Sequence, residues 1–171
     1  LAIYDYRNAR LNATKVPFIQ VADARIYPYE GLVSVGRNAV MNQLTNAGIV
    51  TNLDTEKFHF FNAMVSVKGK YDYTASADYD YIDITGVPQV IHFSKISIDT
   101  SIQSVGLAEV SRIDSLTLSP YFRFLGQVRM AARDSLLVFD GGTQLIHDCS
   151  IGKHWLKFEA PINPKDVKIP V

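Results

Sequence analysis

The sequence predicts an all-β fold, arranged as a right-handed parallel β-solenoid-like stack with an inserted hairpin. Three observations predict it. Apolar and polar residues alternate over several stretches rich in Val, Ile, Phe and Tyr, the period-two signature of strands. A tetrapeptide of Asn or Asp, then Ala, then any residue, then an aliphatic one recurs through the first part of the chain. The one helical pattern, Arg37 to Leu44, where Ala39, Val40 and Leu44 could share a face, is short and lies between strand-like runs. The alternative arrangement of the same strands is an antiparallel β-sandwich or jelly roll.

In chain order, the alternating stretches are Val16 to Ile26, Phe58 to Val67, Val90 to Ile98, Tyr121 to Met130 and His154 to Phe158. Residues 69–86 interleave tyrosines with aspartates and read as an inserted loop or hairpin. Leu118-Ser119-Pro120 reads as a turn that delivers an aromatic strand, with Tyr121 and Arg123 on the side opposite Phe122 and Phe124. Gly141-Gly142 reads as a tight hairpin turn after Leu136 to Asp140. Residues 160–171 contain Pro161, Pro164 and Pro170, which remove amide donors and suit an edge strand or an extended exit linker.

The repeat is Asn8-Ala9-Arg10-Leu11, Asp23-Ala24-Arg25-Ile26, Asn38-Ala39-Val40-Met41, Asn46-Ala47-Gly48-Ile49 and Asn62-Ala63-Met64-Val65. Its members lie one or two multiples of about eight residues apart, and three such steps give a period in the solenoid range. Each part has a physical reason. Asn and Asp tolerate left-handed backbone angles, a small Ala fits a crowded inward corner, and the aliphatic residue opens the next buried position.

On these strings the sequence resembles the coils of a large secreted or cell-envelope bacterial β-solenoid (β-helix) protein. The resemblance is architectural and points to no named family. It implies a rigid scaffold of mechanical or adhesive role at the cell surface or outside the cell, with the chain as one segment of a longer protein. The strings of known solenoid pectinases are absent, which counts against that enzyme group.

Composition narrows the function. The 171 residues are 47% hydrophobic, with 17 basic residues balanced by 17 acidic ones. That composition argues for one domain with a sizeable core and against a disordered segment. The neutral balance removes the electrostatic footprint of a nucleic-acid binder. No run approaches the roughly 20 apolar residues a membrane helix needs. Cys149 is the single cysteine, so no internal disulfide forms.

The most distinctive candidate site is the patch holding Tyr71, Tyr73, Tyr79, Tyr81, Asp78, Asp80 and Asp83. Flat phenol rings can carry sugar rings or partner side chains, and carboxylates can hold hydroxyls or calcium. An EF-hand counted from Asp78 fails, because its sixth and twelfth places hold Asp83 and Gln89. On a plain strand, alternation would instead send the tyrosines to one side and solvated aspartates to the other. His147, Cys149 and His154 lack the paired spacing of a zinc knuckle and read as strand-end and buried positions, while His59 and His92 read as outward strand positions. Asn12-Ala13-Thr14 fits a glycosylation acceptor, relevant only in a eukaryotic secretory route.

The function expected from the sequence is therefore a non-enzymatic structural or interaction module of a surface-associated or secreted protein, binding glycan or a protein partner through the Tyr/Asp patch. The partners expected are neighbouring domains or protein subunits, and polysaccharide. No catalytic residue, metal ligand or cofactor is assigned. The alternative is a β-helical polysaccharide-degrading hydrolase or lyase using Asp78, Asp80 or Asp83.

Overall fold

The computed structural model describes residues 1–37, 40–52, 54–147 and 154–170. Three short strands, β1 (Ala2–Asp5), β2 (Arg10–Ala13) and β5 (Val33–Val35), form a small satellite sheet in the order β1, β2, β5. The main sheet is built from β3 (Ile19–Val21), β4 (Ala24–Tyr27), β6 (Leu44–Thr51), β7 (Phe58–Gly69), β8 (Asp72–Ile82), β9 (Pro88–Ile98), β10 (Ser104–Val110), β11 (Thr117–Ser119), β12 (Phe122–Ala131), β13 (Leu137–Leu145) and β14 (Trp155–Ile162). Its order is β14, β13, β12, β10, β9, β8, β7, β6, β4, β3, with β11 added against β12.

Every pairing in both sheets is antiparallel, and the main sheet curls into a half-barrel. The all-β expectation holds, and the parallel solenoid does not. The reason lies in the connections. Only Lys70 and Tyr71 separate β7 from β8, Asp83 to Val87 separate β8 from β9, and Asp99 to Gln103 separate β9 from β10. A parallel pair needs a crossover of about a dozen residues or more, so each of these links returns the chain antiparallel. The resemblance to a bacterial β-solenoid is thereby withdrawn, and the architecture is of the antiparallel kind.

The Asn-Ala strings have a different use from solenoid corners. Asn46 and Asn62 sit in the left-handed region, with φ of 53° and 51°, where the register of β6 against β7 and of β7 against β8 shifts. These are β-bulges, which bend a strand and increase its twist. Ala47 and Ala63 follow, face each other across the two strands and are fully buried. Small side chains there let the sheet fold sharply over its own core. Asp23-Ala24 lies at the tight β3–β4 turn, where Ala22 takes the left-handed angle, and Asn8-Ala9 lies in the β1–β2 turn. Asn38-Ala39 falls outside the described residues.

Side-chain contacts close the curl. The Asn52 amide donates to the Ala132 carbonyl at 2.7 Å, and the Ala22 N–H donates to the Lys70 carbonyl at 3.0 Å. The Ser104 amide and hydroxyl both donate to Asp23 Oδ1, at 3.0 and 2.7 Å. Inside, edge-to-face rings pack the core: Phe60 with Phe93 at 5.3 Å, Phe124 with Phe139 at 5.1 Å, and, across the curl from β8 to β13, Tyr81 with Phe139 at 5.6 Å between centroids. Burying each such ring contributes about 1.5–3 kcal/mol. Gly106 makes room for one of them, since a Cβ there would lie 2.9 Å from the Phe93 ring.

Other expectations change as well. Residues 69–86 are not an insertion: β8 is a central strand bonded to β7 on one side and β9 on the other. Gly141 and Gly142 lie in the middle of β13 rather than at a turn, which Ala132 to Leu136 supply instead. The described residues of Arg37 to Leu44 contain no α-helix, and Met41 bridges Val35. Val16 to Ile26 is broken by a turn into β3 and β4. The segment from Ala160 to Ile162 ends β14, the edge strand of the main sheet.

Candidate binding site

Alternation along β8 sorts the patch residues. Tyr73, Ala75, Ala77 and Tyr81 point into the core, with Tyr79 on the same side and partly buried, while Asp72, Asp78 and Asp80 take the alternate positions. Tyrosines on one side and aspartates on the other is the plain-strand pattern, and it dissolves the single Tyr/Asp surface expected from sequence. Tyr71 is 53% exposed but stands at the β7–β8 turn, at the far end of the strand from Tyr81, with the Lys70 ammonium 5.1 Å above its ring.

Two of the tyrosines are structural. The Tyr73 hydroxyl is 2.8 Å from Ser104 Oγ, within the network that reaches Asp23, and the Tyr81 hydroxyl donates to the Leu118 carbonyl at 2.9 Å. Burial pushes both phenols well above their ordinary value, opposed at Tyr73 by the Ser104 hydrogen bond and reinforced at Tyr81 by Asp83. In the unfolded chain they ionise near the ordinary value of about 10, so their ionisation favours unfolding. Stability is complete below about pH 10 and is lost as pH rises beyond it. In an alkaline titration followed by tyrosinate absorbance, these two phenols are expected to ionise only together with loss of the far-UV β signal. Reversible ionisation of all 9 tyrosines in the folded protein would contradict this.

The aspartates part company too. Asp78 Oδ1 lies 2.7 Å from His92 Nδ1, and its Oδ2 accepts from the Asn62 amide at 3.1 Å. Asp83 is 2% exposed, and its Oδ1 accepts from both the Thr85 amide, at 2.8 Å, and the Thr85 hydroxyl, at 2.5 Å. That arrangement fixes the turn into β9. Asp80 alone of the three is exposed.

Tyr79 is where a site can be built. Its ring packs on Phe60 at 5.6 Å and Phe58 at 6.2 Å, and both burial and the Asp80 charge raise its phenol above the ordinary value. It borders two concavities. One, of about 260 Å³, opens between the start of β7 and the chain around β13 and β14; Phe58, Tyr81, Leu137 and Ile162 floor it, and Lys57 and Asn163 stand at its wall. The other, of about 310 Å³, is lined by His59, Phe61, Asp80 and Ile82, and shares Lys57 and Tyr79 with the first. An aromatic ring flanked by a cation, a carboxylate and an amide on two adjoining hollows can hold an extended polar ligand by stacking and hydrogen bonds.

Two hollows of about 450 Å³ are larger. The one on the outer sheet face around Lys95, Leu107 and Arg129 has no aromatic lining, and Glu159 engages Arg129. The one between the satellite sheet and β6 mixes amides and hydroxyls with Leu32, Val33 and Leu44, with Tyr29 as its aromatic. Among the described residues no group of His, Cys, Asp and Glu is assembled to hold a metal, and no helix is long and apolar enough to cross a membrane. His59 and His92 are exposed strand positions, as expected; Cys149 falls outside the described residues.

Sequence reasoning found Tyr79 and Asp80 but missed Lys57, Phe58 and Asn163. Lys57 and Phe58 open a strand whose alternation was legible, yet nothing local marks them as neighbours of Asn163, about a hundred residues on. No protein family, curated protein or solved structure matches this chain.

Proposed function

We propose that this chain is a non-enzymatic interaction module of a surface-associated or secreted protein, and that it binds glycan along the Tyr79 cleft. The observation that carries the reading is the position of Tyr79: of the four tyrosines in the patch, it is the partly buried one that borders two hollows, with Lys57 common to both. A pyranose ring can lay its C–H face on the phenol while Lys57 and Asn163 engage its hydroxyls, and Asp80 can engage a neighbouring sugar unit in the second hollow. Polysaccharide of this kind lies at and beyond the cell surface, which is the setting proposed for the protein.

Hydrolysis by Asp78, Asp80 and Asp83 is the weaker reading. A glycosidase needs two carboxylates across one groove. Asp83 is buried and bonded to Thr85, and Asp78 is engaged by His92 and Asn62, which leaves Asp80 without either as an open partner.

A glycan array probed with the wild-type chain, followed by titration of the retained glycans, tests the proposal. Tyr79→Ala and Asp80→Ala are each expected to weaken binding tenfold or more, a loss of about 1.4 kcal/mol. Tyr71→Ala, at the far end of β8, should bind as wild type, and thermal unfolding of each variant separates lost contacts from lost fold. Absence of any retained glycan, or equal binding by all variants, would overturn the assignment.

A further inference from the structure

The main sheet ends at β14, and its free edge can be read atom by atom. The Ile146 amide donates to the Tyr121 carbonyl at 2.8 Å, so even-numbered residues of β13 direct their backbone groups toward β12. The β12–β13 register is unbroken, and Val138 is therefore bonded toward β12 as well. Val138 faces Pro161 in the β13–β14 ladder, so Pro161 and the other odd residues of β14 turn their backbone groups away from β13. Trp155, Lys157 and Glu159 thus present free amides and carbonyls, and the residue with no amide to offer, Pro161, stands near the end of the row. An open edge of this kind is a template for another strand.

We propose that the occupant of this edge is a second copy of the chain, joined by antiparallel β14–β14 pairing about a two-fold axis through Phe158. The sequence WLKFEAP is self-complementary about that residue. On the outer face Lys157 of each copy meets Glu159 of the other, and Trp155 meets Pro161. On the inner face Leu156, which is 52% exposed, meets Ala160. Lys157 and Glu159 form a doubly hydrogen-bonded pair on both sides of the axis, and the missing Pro161 amide costs a bond only at the ends. Moving the axis by one residue sets Lys157 against Lys157 or Glu159 against Glu159, which repels. Charge therefore selects the register. The Trp155 ring is already seated on the β13 backbone, where a Cβ on Gly142 would come within 3.1 Å of it.

The test uses charge reversal and mixing. Sedimentation velocity of the 171-residue chain should show a dimer that shifts to monomer on dilution. K157E and E159K should each weaken dimerisation at least tenfold, because each sets like charges opposite one another at both pair positions. An equimolar mixture of the two should recover a heterodimer, since every pair then has opposite signs. Lys157 and Glu159 are both exposed, and circular dichroism of the single variants checks that they fold. A monomeric wild type at all accessible concentrations would overturn the proposal. So would a dimer unaffected by either variant, open-ended fibres, or a mixture that stays monomeric.

Discussion

Replacing Gly141 with alanine is expected to destabilise the protein by about 3 kcal/mol or more, the upper end of what overpacking costs. Gly141 pairs with Gly126, and there the backbones of β12 and β13 leave no room for a side chain. A Cβ on Gly141 would overlap the Leu125 carbonyl oxygen, and one on Gly126 would overlap that of Asp140. Gly126 also has φ of 142°, a conformation that side chains disfavour. The obstacle is backbone on both sides, so no rotamer change relieves it. Gly69→Ala is the control: a Cβ there meets nothing within 4 Å, and its effect should stay within about 0.5 kcal/mol. Urea unfolding of both variants makes the comparison. Equal midpoints would show that β12 and β13 can separate locally without cost, contrary to the packing described.

Phe139→Ala is expected to cost about 3–5 kcal/mol, the range for deleting a large buried ring. Phe139 is fully buried and touches Phe124 from one direction and Tyr81 from the other, so it joins β13 to β12 beside it and to β8 across the curl. Removing it leaves a cavity between two sheet regions that the connections cannot collapse. Against a total stability of about 5–15 kcal/mol, that loss moves the unfolding transition far toward ambient conditions. Loss of the Tyr81 contact should also loosen the floor of the Tyr79 cleft, so ligand affinity should fall alongside stability. A midpoint within 1 kcal/mol of wild type, on the scale of about 1 kcal/mol typical of point mutants, would mean that the two halves of the curl do not depend on this ring.

Much of the local structure was legible. Alternation located β7, β9 and β12 nearly whole, because a strand with one face buried must alternate. The plain-strand alternative also gave the two-sidedness of β8, but Tyr73 and Tyr81, assigned from sequence to a binding patch, lie in the core. The Asn-Ala strings were read with the right chemistry, a left-handed asparagine followed by a crowded alanine, at Asn46-Ala47 and Asn62-Ala63. Their consequence was misread, because a left-handed residue is equally at home in a solenoid corner and in an antiparallel bulge. The Tyr79 cleft was half legible: the aromatic ring and Asp80 stand out in the sequence, whereas Lys57 and Asn163 acquire meaning only once β7 and the end of β14 are brought together.

The sequence by itself determined that the chain is all-β and which side of the long strands β7, β8, β9 and β12 is apolar, since both follow from a residue and its nearest neighbours. Tertiary structure alone decided the strand order, the curl that sets Phe139 on Tyr81, and the burial of Asp83, whose carbonyl Lys165 reaches from the end of the chain. Those depend on contacts between residues tens of positions apart, and the energy of such contacts leaves no periodic trace in the chain. Gly141 shows the division most plainly: a glycine states that a side chain is unwelcome, but only the closeness of β12 and β13 states why.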